Sequence, residues 1–208
     1  MGMDVGFLLR GLVIGFSIAA PVGPIGVLCI RRTLVQGRVS GLLSGLGAAS
    51  ADAVYGCIAA LGLTLVSNFL VGQQFWLRLV GGLFLCFLGV RAFVSKPSED
   101  MASVRGSGLA GAYVSTFLLT LSNPVTILSF AAVFAGFGVA GGSGGSYVSV
   151  AMLVLGVFVG SALWWLILTG FVGLFRSKFH SEQLRWVNRI SGTVIIVFGV
   201  VILLSLRL

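Results

Sequence analysis

The stretch "AAPVGPIGVLCIRR", Ala19 to Arg32, decides how this chain folds. It sets Pro21 and Pro24 around Gly23 inside an apolar run, about residues 5–30, that is long enough to cross a bilayer. Each proline lacks a backbone N–H and collides with the preceding turn, costing about 3 kcal/mol in a helix interior. Pro21 thereby leaves the Ser17 carbonyl without its intrahelical donor, and Pro24 does the same to Ala20. In hydrocarbon an unpaired carbonyl is too costly to persist unless it is buried in protein or lines a wet cavity. If helix resumes at Pro24, proline suits that first turn, and the amides behind it form a positive end that favours a carboxylate. Freed carbonyls on one side and free amides on the other are complementary to a zwitterion. The competing reading is a proline kink that serves only to bend a helix.

Outward from this stretch, the whole chain is apolar. Of its 208 residues 58% are hydrophobic and 9% charged, with a mean hydropathy of +1.13, against about a quarter charged in soluble domains. This composition specifies an integral membrane protein. Apolar runs fall near 5–30, 40–66, 74–95, 107–136, 147–175 and 187–206, so six transmembrane helices use up the length as a single transmembrane domain, 1–208. The N-terminal run differs from a signal peptide in carrying Asp4 before it and Arg10 within it, and reads as the first span. The net charge of +8 comes from eleven arginines and two lysines scattered without interleaved aromatics, which excludes a nucleic-acid surface. Cys29, Cys57 and Cys86 lie in apolar runs without CxxC spacing, so neither disulfides nor a metal site is expected, and no cofactor is called for.

The basic residues instead set orientation. Arg31, Arg32 and Arg38 follow the first run; Arg91, Lys96 and Arg105 the third; Arg176, Lys178, Arg185 and Arg189 the fifth. The gaps after the second and fourth runs, "TLVSNFLVGQQ" and "GFGVAGGSGGSY", have neither Lys nor Arg. The positive-inside rule then puts the odd-to-even gaps in the cytoplasm and both termini outside.

A polar cytoplasmic linker near 96–106 divides the chain into repeat one, about 1–95, and repeat two, about 107–208. At an offset of 110, Trp76, Gly82, Gly89 and Val90 match Trp186, Gly192, Gly199 and Val200. At 109, Gly47, Asp52 and Tyr55 match Gly156, Ser161 and Trp164; at 100, Pro24 matches Pro124. With three spans per repeat, the second enters the membrane from the opposite side, giving two inverted three-helix repeats with the first and fourth helices broken at prolines. Secondary transporters use such broken helices to bind substrate near the midplane.

Several side chains add chemistry to the breaks. Asn123, just before Pro124, both donates and accepts hydrogen bonds and needs a partner inside a membrane. Asp52 is the one carboxylate within a span, on the face of Gly41, Gly45, Ala48 and Tyr55, a small-residue stripe that points it into the bundle. A charged Asp at the membrane centre costs about 2.5–3.5 kcal/mol, so it must be protonated, paired or hydrated during a cycle, which suits proton coupling. Ser161 is its neutral counterpart in the other repeat, and Trp164 is a candidate for cavity lining. Trp76 and Trp186 begin spans and suit the interfacial belt. Glycine stripes such as Gly82 with Gly89 could pack helices within one protomer or pair two as a homodimer. An intramembrane enzyme would need a constellation such as Ser with His or two aspartates, and no histidine or second carboxylate lies in the runs.

The combination of "APVGPIGVLCIRRTL", "GLLSGLGAASADAVYG" and "SNP" resembles the lysine exporter (LysE) family of bacterial amino-acid translocators over the whole chain. The resemblance implies a multi-pass protein of the bacterial cytoplasmic membrane that exports amino acids or related small metabolites, driven by the proton gradient or membrane potential. It places the family's proline motif on Pro21, Gly23 and Pro24, its acidic position on Asp52 and its Asn-Pro on Asn123 and Pro124. The Gln-Asn pair of basic amino-acid exporters is missing from the first break, so the pattern is nearer the homoserine/threonine branch. Export of a metal cation, or a channel or scaffold role, is the alternative.

Overall fold

The computed structural model describes residues 2–21, 23–60, 73–94, 108–123, 125–130, 147–176 and 181–207. Among these, every regular element is helical: α1 (Gly2–Ala19), α2 (Pro24–Val35), α3 (Arg38–Ala60), α4 (Gln74–Val94), α5 (Gly108–Leu121), α6 (Tyr147–Phe175) and α7 (Ser181–Leu204). A helical turn over 125–130 follows α5, and a 3-10 turn, Ser205–Arg207, ends α7. Segments within α3, α4, α6 and α7 are each long and apolar enough to cross a membrane. The bent pair α1 and α2 makes a fifth crossing if counted as one span. The linker at 96–106 and Pro124 lie outside the described residues.

The first span breaks where the prolines stand. The axes of α1 and α2 differ by 81°. α2 begins at Pro24 with Gly23 as its N-cap, because proline's fixed φ and missing N–H suit a first turn. α2 then runs through Arg31 and Arg32 to Val35, so these arginines lie within a helix and not, as expected, in the gap after it, and are 6% and 7% exposed. Hydroxyl groups make this burial tolerable. Arg32 Nη1 donates to Ser44 Oγ at 2.8 Å, Thr116 Oγ1 at 2.8 Å and the Ala112 carbonyl at 2.9 Å, while Nη2 donates to Ser115 Oγ at 2.8 Å. One guanidinium fork thus ties α2 to α3 and α5, and Arg31 Nε donates to Asn188 Oδ1 of α7 at 2.8 Å. At Gly37, whose φ is +109°, the chain reverses into α3; the amides of Gln36 and Gly37 both donate to the Arg32 carbonyl. Such a left-handed closure satisfies helix-end carbonyls and favours glycine.

Apolar helices gain little hydrophobic energy by meeting in lipid, so close backbone packing has to hold them together. Glycines provide it. A Cβ at Gly11 or Gly15 of α1 would strike the Leu153 or Val157 carbonyl of α6, and one at Gly156 or Gly160 of α6 would strike the Leu8 or Leu12 carbonyl of α1. Gly47 of α3 meets the Tyr113 carbonyl of α5 in the same way. On α4 and α7, Gly82 and Gly89 face Gly199 and Gly192, so these stripes pack helices within the chain. The principal pairs are α1 with α6, α4 with α7, α3 with α5 and α3 with α6. Trp76 and Trp186 are exposed near the starts of α4 and α7.

Candidate functional site

The break between α1 and α2 opens on a cavity of about 370 Å³. Pro21, Gly23 and Pro24 line it from the first span, Ala48 and Asp52 from α3, Thr120 from α5 and Asn123, Thr126 and Ser129 from the second break. Trp165 of α6 and Phe198, Val201 and Ile202 of α7 complete the wall. Five of the expected residues therefore share one space: Pro21, Gly23, Pro24, Asp52 and Asn123. They are distant in sequence and meet because α2 and the 125–130 turn both start at the cavity.

The two breaks handle their backbone groups differently. At the second, Pro124 has no N–H to give the Thr120 carbonyl four residues back, and the Asn123 amide donates to that carbonyl instead, at 3.2 Å. Asn123 Oδ1 accepts from the Val125 amide at 3.1 Å, a side-chain cap on the turn that follows. That leaves the Leu121 carbonyl without the Val125 amide, and the Tyr55 hydroxyl donates to it instead. At the first break, Gly23 is extended at φ −97°, ψ −164° and has no side chain with which to cap α2. The Val27 amide reaches the Gly23 carbonyl at 3.1 Å. The preceding amides, those of Ile25 and Gly26, belong to the first turn, where no intrahelical acceptor exists, and both residues line the cavity.

Asp52 is 3% exposed, and its Oδ2 accepts from Ser161 Oγ at 2.7 Å. The two residues matched at an offset of 109 therefore touch across the α3–α6 interface. Among the described residues Asp52 has no cationic side chain hydrogen-bonded to it. Ser161 and Tyr55 support the site from behind: Ser161 is fully buried beneath Asp52, and Tyr55 packs with Ile14, Ile127 and Phe130.

Trp164 does not take the place expected of it. Its ring packs edge to face on Phe16 of α1, with centroids 5.5 Å apart, and Trp165 faces the cavity instead. Successive residues on a helix point about 100° apart, so the two cannot share a face. The signal was the spacing of four from Ser161 to Trp165, which puts both on one side. Thr126 and Ser129, three apart beyond the second break, carried a similar signal of hydroxyl groups on one helical face.

Chemically, this is a mostly apolar chamber within a bundle of membrane-crossing helices, with one carboxylate, one open helix N-terminus and several hydroxyls, a lining with the chemistry to hold a small polar solute. The chain belongs to the family described as LysE type translocator, which matches residues 16–206. It is 28% identical to the Bacillus subtilis (strain 168) protein named "Putative amino acid efflux protein YcgF", over 92% of each chain. It is 23% identical to the threonine efflux protein of Escherichia coli (strain K12), over 96% of this chain and 98% of that one. The threonine efflux protein of Salmonella typhi is 24% identical over 88% and 90% respectively. No solved structure gives a significant match.

Proposed function

We propose that this protein exports amino acids across the bacterial cytoplasmic membrane as a secondary transporter, with the cavity at the α1–α2 break as its substrate site. The observation that carries the reading is the meeting of two broken helices and Asp52 around one chamber. Asp52 would hold the substrate's ammonium or carry a coupling proton, and the open end of α2 would face its carboxylate. The relatives named for amino acid and threonine efflux support this cargo class and its direction.

Export by alternating access would follow from two inverted repeats, one on each side of the linker, rocking about the site. The packing supports that arrangement. A pseudo-two-fold axis would exchange α1 with α5 and α6 with α3, and α1 lies on α6 as α5 lies on α3. α3 meets α6 and α4 meets α7, as self-matching pairs on the axis should. The proton gradient or membrane potential would supply the drive. Counterflow in proteoliposomes tests the reading. Vesicles loaded with unlabelled L-threonine or other neutral amino acids should accumulate the labelled form with saturation; flux that never saturates or never exchanges would point to a channel and overturn the carrier.

A further inference from the structure

Among the described residues, one buried side-chain nitrogen or oxygen has no hydrogen-bond partner, and it is Nε1 of Trp165. Buried indole N–H groups normally find an acceptor, so an orphan beside a cavity calls for an explanation. Trp165 is 4% exposed and firmly placed: its Cβ and ring lie against Gly45, where any side chain would collide, and it packs with Ala19, Ile25 and Ala48. It also lines the cavity together with Ile25 and Gly26. Trp165, which carries the orphan donor, and the open end of α2 thus line one space. The equivalent helix start after Asn123 is capped by its own side chain, whereas Gly23 leaves that of α2 uncapped.

We propose that the Trp165 indole N–H and the Ile25 and Gly26 amides form a carboxylate subsite for the cargo, with Trp165 the donor that distinguishes amino acids from amines. The inference rests on the amino-acid reading above. Indole donates and cannot accept, so the ammonium is left to Asp52, which stands one turn along α3 from Ala48, against which Trp165 packs. Three donors converging on one carboxylate also fix the Cα beyond it, so side-chain selection falls to the wall formed with Phe198 and Val201.

The test compares L-threonine with its decarboxylated analogue, 1-amino-2-propanol, for binding to the purified full-length protein. Trp165→Phe keeps an aromatic ring and removes the N–H. Replacing Trp165 with 3-benzothienylalanine keeps the size of the indole as well, and serves if the phenylalanine variant does not fold. Both variants should lose affinity for L-threonine at least about tenfold, as for a lost hydrogen bond to a charged group, while binding of the amine changes little. Unchanged threonine affinity, or equal losses for the two ligands, would overturn the subsite and leave Trp165 a packing residue. If the unmodified protein binds neither threonine nor any other neutral amino acid, it is the export reading that fails.

Discussion

Asp52 is sealed at the α3–α6 contact with a serine hydroxyl as its partner and lines a chamber on its other side. A carboxylate so placed is expensive unless something positive visits it. Asp52→Asn preserves size and the bond from Ser161 while removing charge and titration. If Asp52 pairs with the cargo's ammonium, the variant should bind L-threonine more weakly by on the order of 1.5–3 kcal/mol, read by calorimetry. If it carries the coupling proton, binding and exchange should persist while accumulation driven by a pH gradient disappears. Wild-type binding together with wild-type gradient-driven accumulation would make Asp52 structural. Gly23 is the complementary probe. A Cβ built there meets nothing within 4 Å, and its extended backbone is open to any residue. Gly23→Leu should therefore fold and insert normally, yet fill the chamber and abolish export; unimpaired export in that variant would place the substrate elsewhere.

Among the elements, the α1–α6 contact is the most sensitive to added volume. Its four glycines set each backbone directly on the other, and rigid carbonyls cannot step aside as a flexible side chain would. Gly156→Ala or Gly160→Ala should cost about 1–3 kcal/mol by overpacking, seen as a lower melting temperature in detergent. Gly170→Ala, in the same helix but with open space at its Cβ, should be neutral or stabilise by up to about 1 kcal/mol, since alanine is the better helix former. An equal loss at Gly170 would mean that helix propensity, and not the interface, governs α6. The arginine fork of α2 is the polar counterpart of this packing: because Arg32 joins three helices through hydroxyls, Arg32→Leu would remove the shared donor of Ser44, Thr116 and Ser115 and leave each only its bond to a carbonyl of its own helix.

For the whole molecule, inverted repeats require equivalent positions to lie on opposite sides of the membrane. Val39 and Val148, an offset of 109 apart, are both exposed near the starts of α3 and α6. In a background with Cys29, Cys57 and Cys86 replaced, Val148→Cys should react with an impermeant thiol reagent applied from outside and Val39→Cys only after permeabilisation. Labelling of both from the same side would refute the inversion. The packing of glycine stripes inside the chain also means that a homodimer, if formed, must use other faces than Gly82 and Gly89.

Much of this was legible in one dimension. Hydropathy, the break at Pro21 and Pro24, the lone Asp52 and its match to Ser161 are local or periodic features, and the physics of a chain in lipid acts on them directly: apolar runs span, prolines interrupt, and a buried acid turns inward. How the Thr120 and Leu121 carbonyls find donors at the second break was not legible, because it depends on Asn123 folding its side chain back to Val125 and on Tyr55 arriving from another helix. The burial of Arg31 and Arg32 was equally hidden, since their solvation comes from α3, α5 and α7. Trp165 rather than Trp164 faces the cavity for the same reason: a helix in lipid carries apolar residues on all sides, so hydropathy does not report its rotation, and the meshing of Gly156 and Gly160 with α1 sets it.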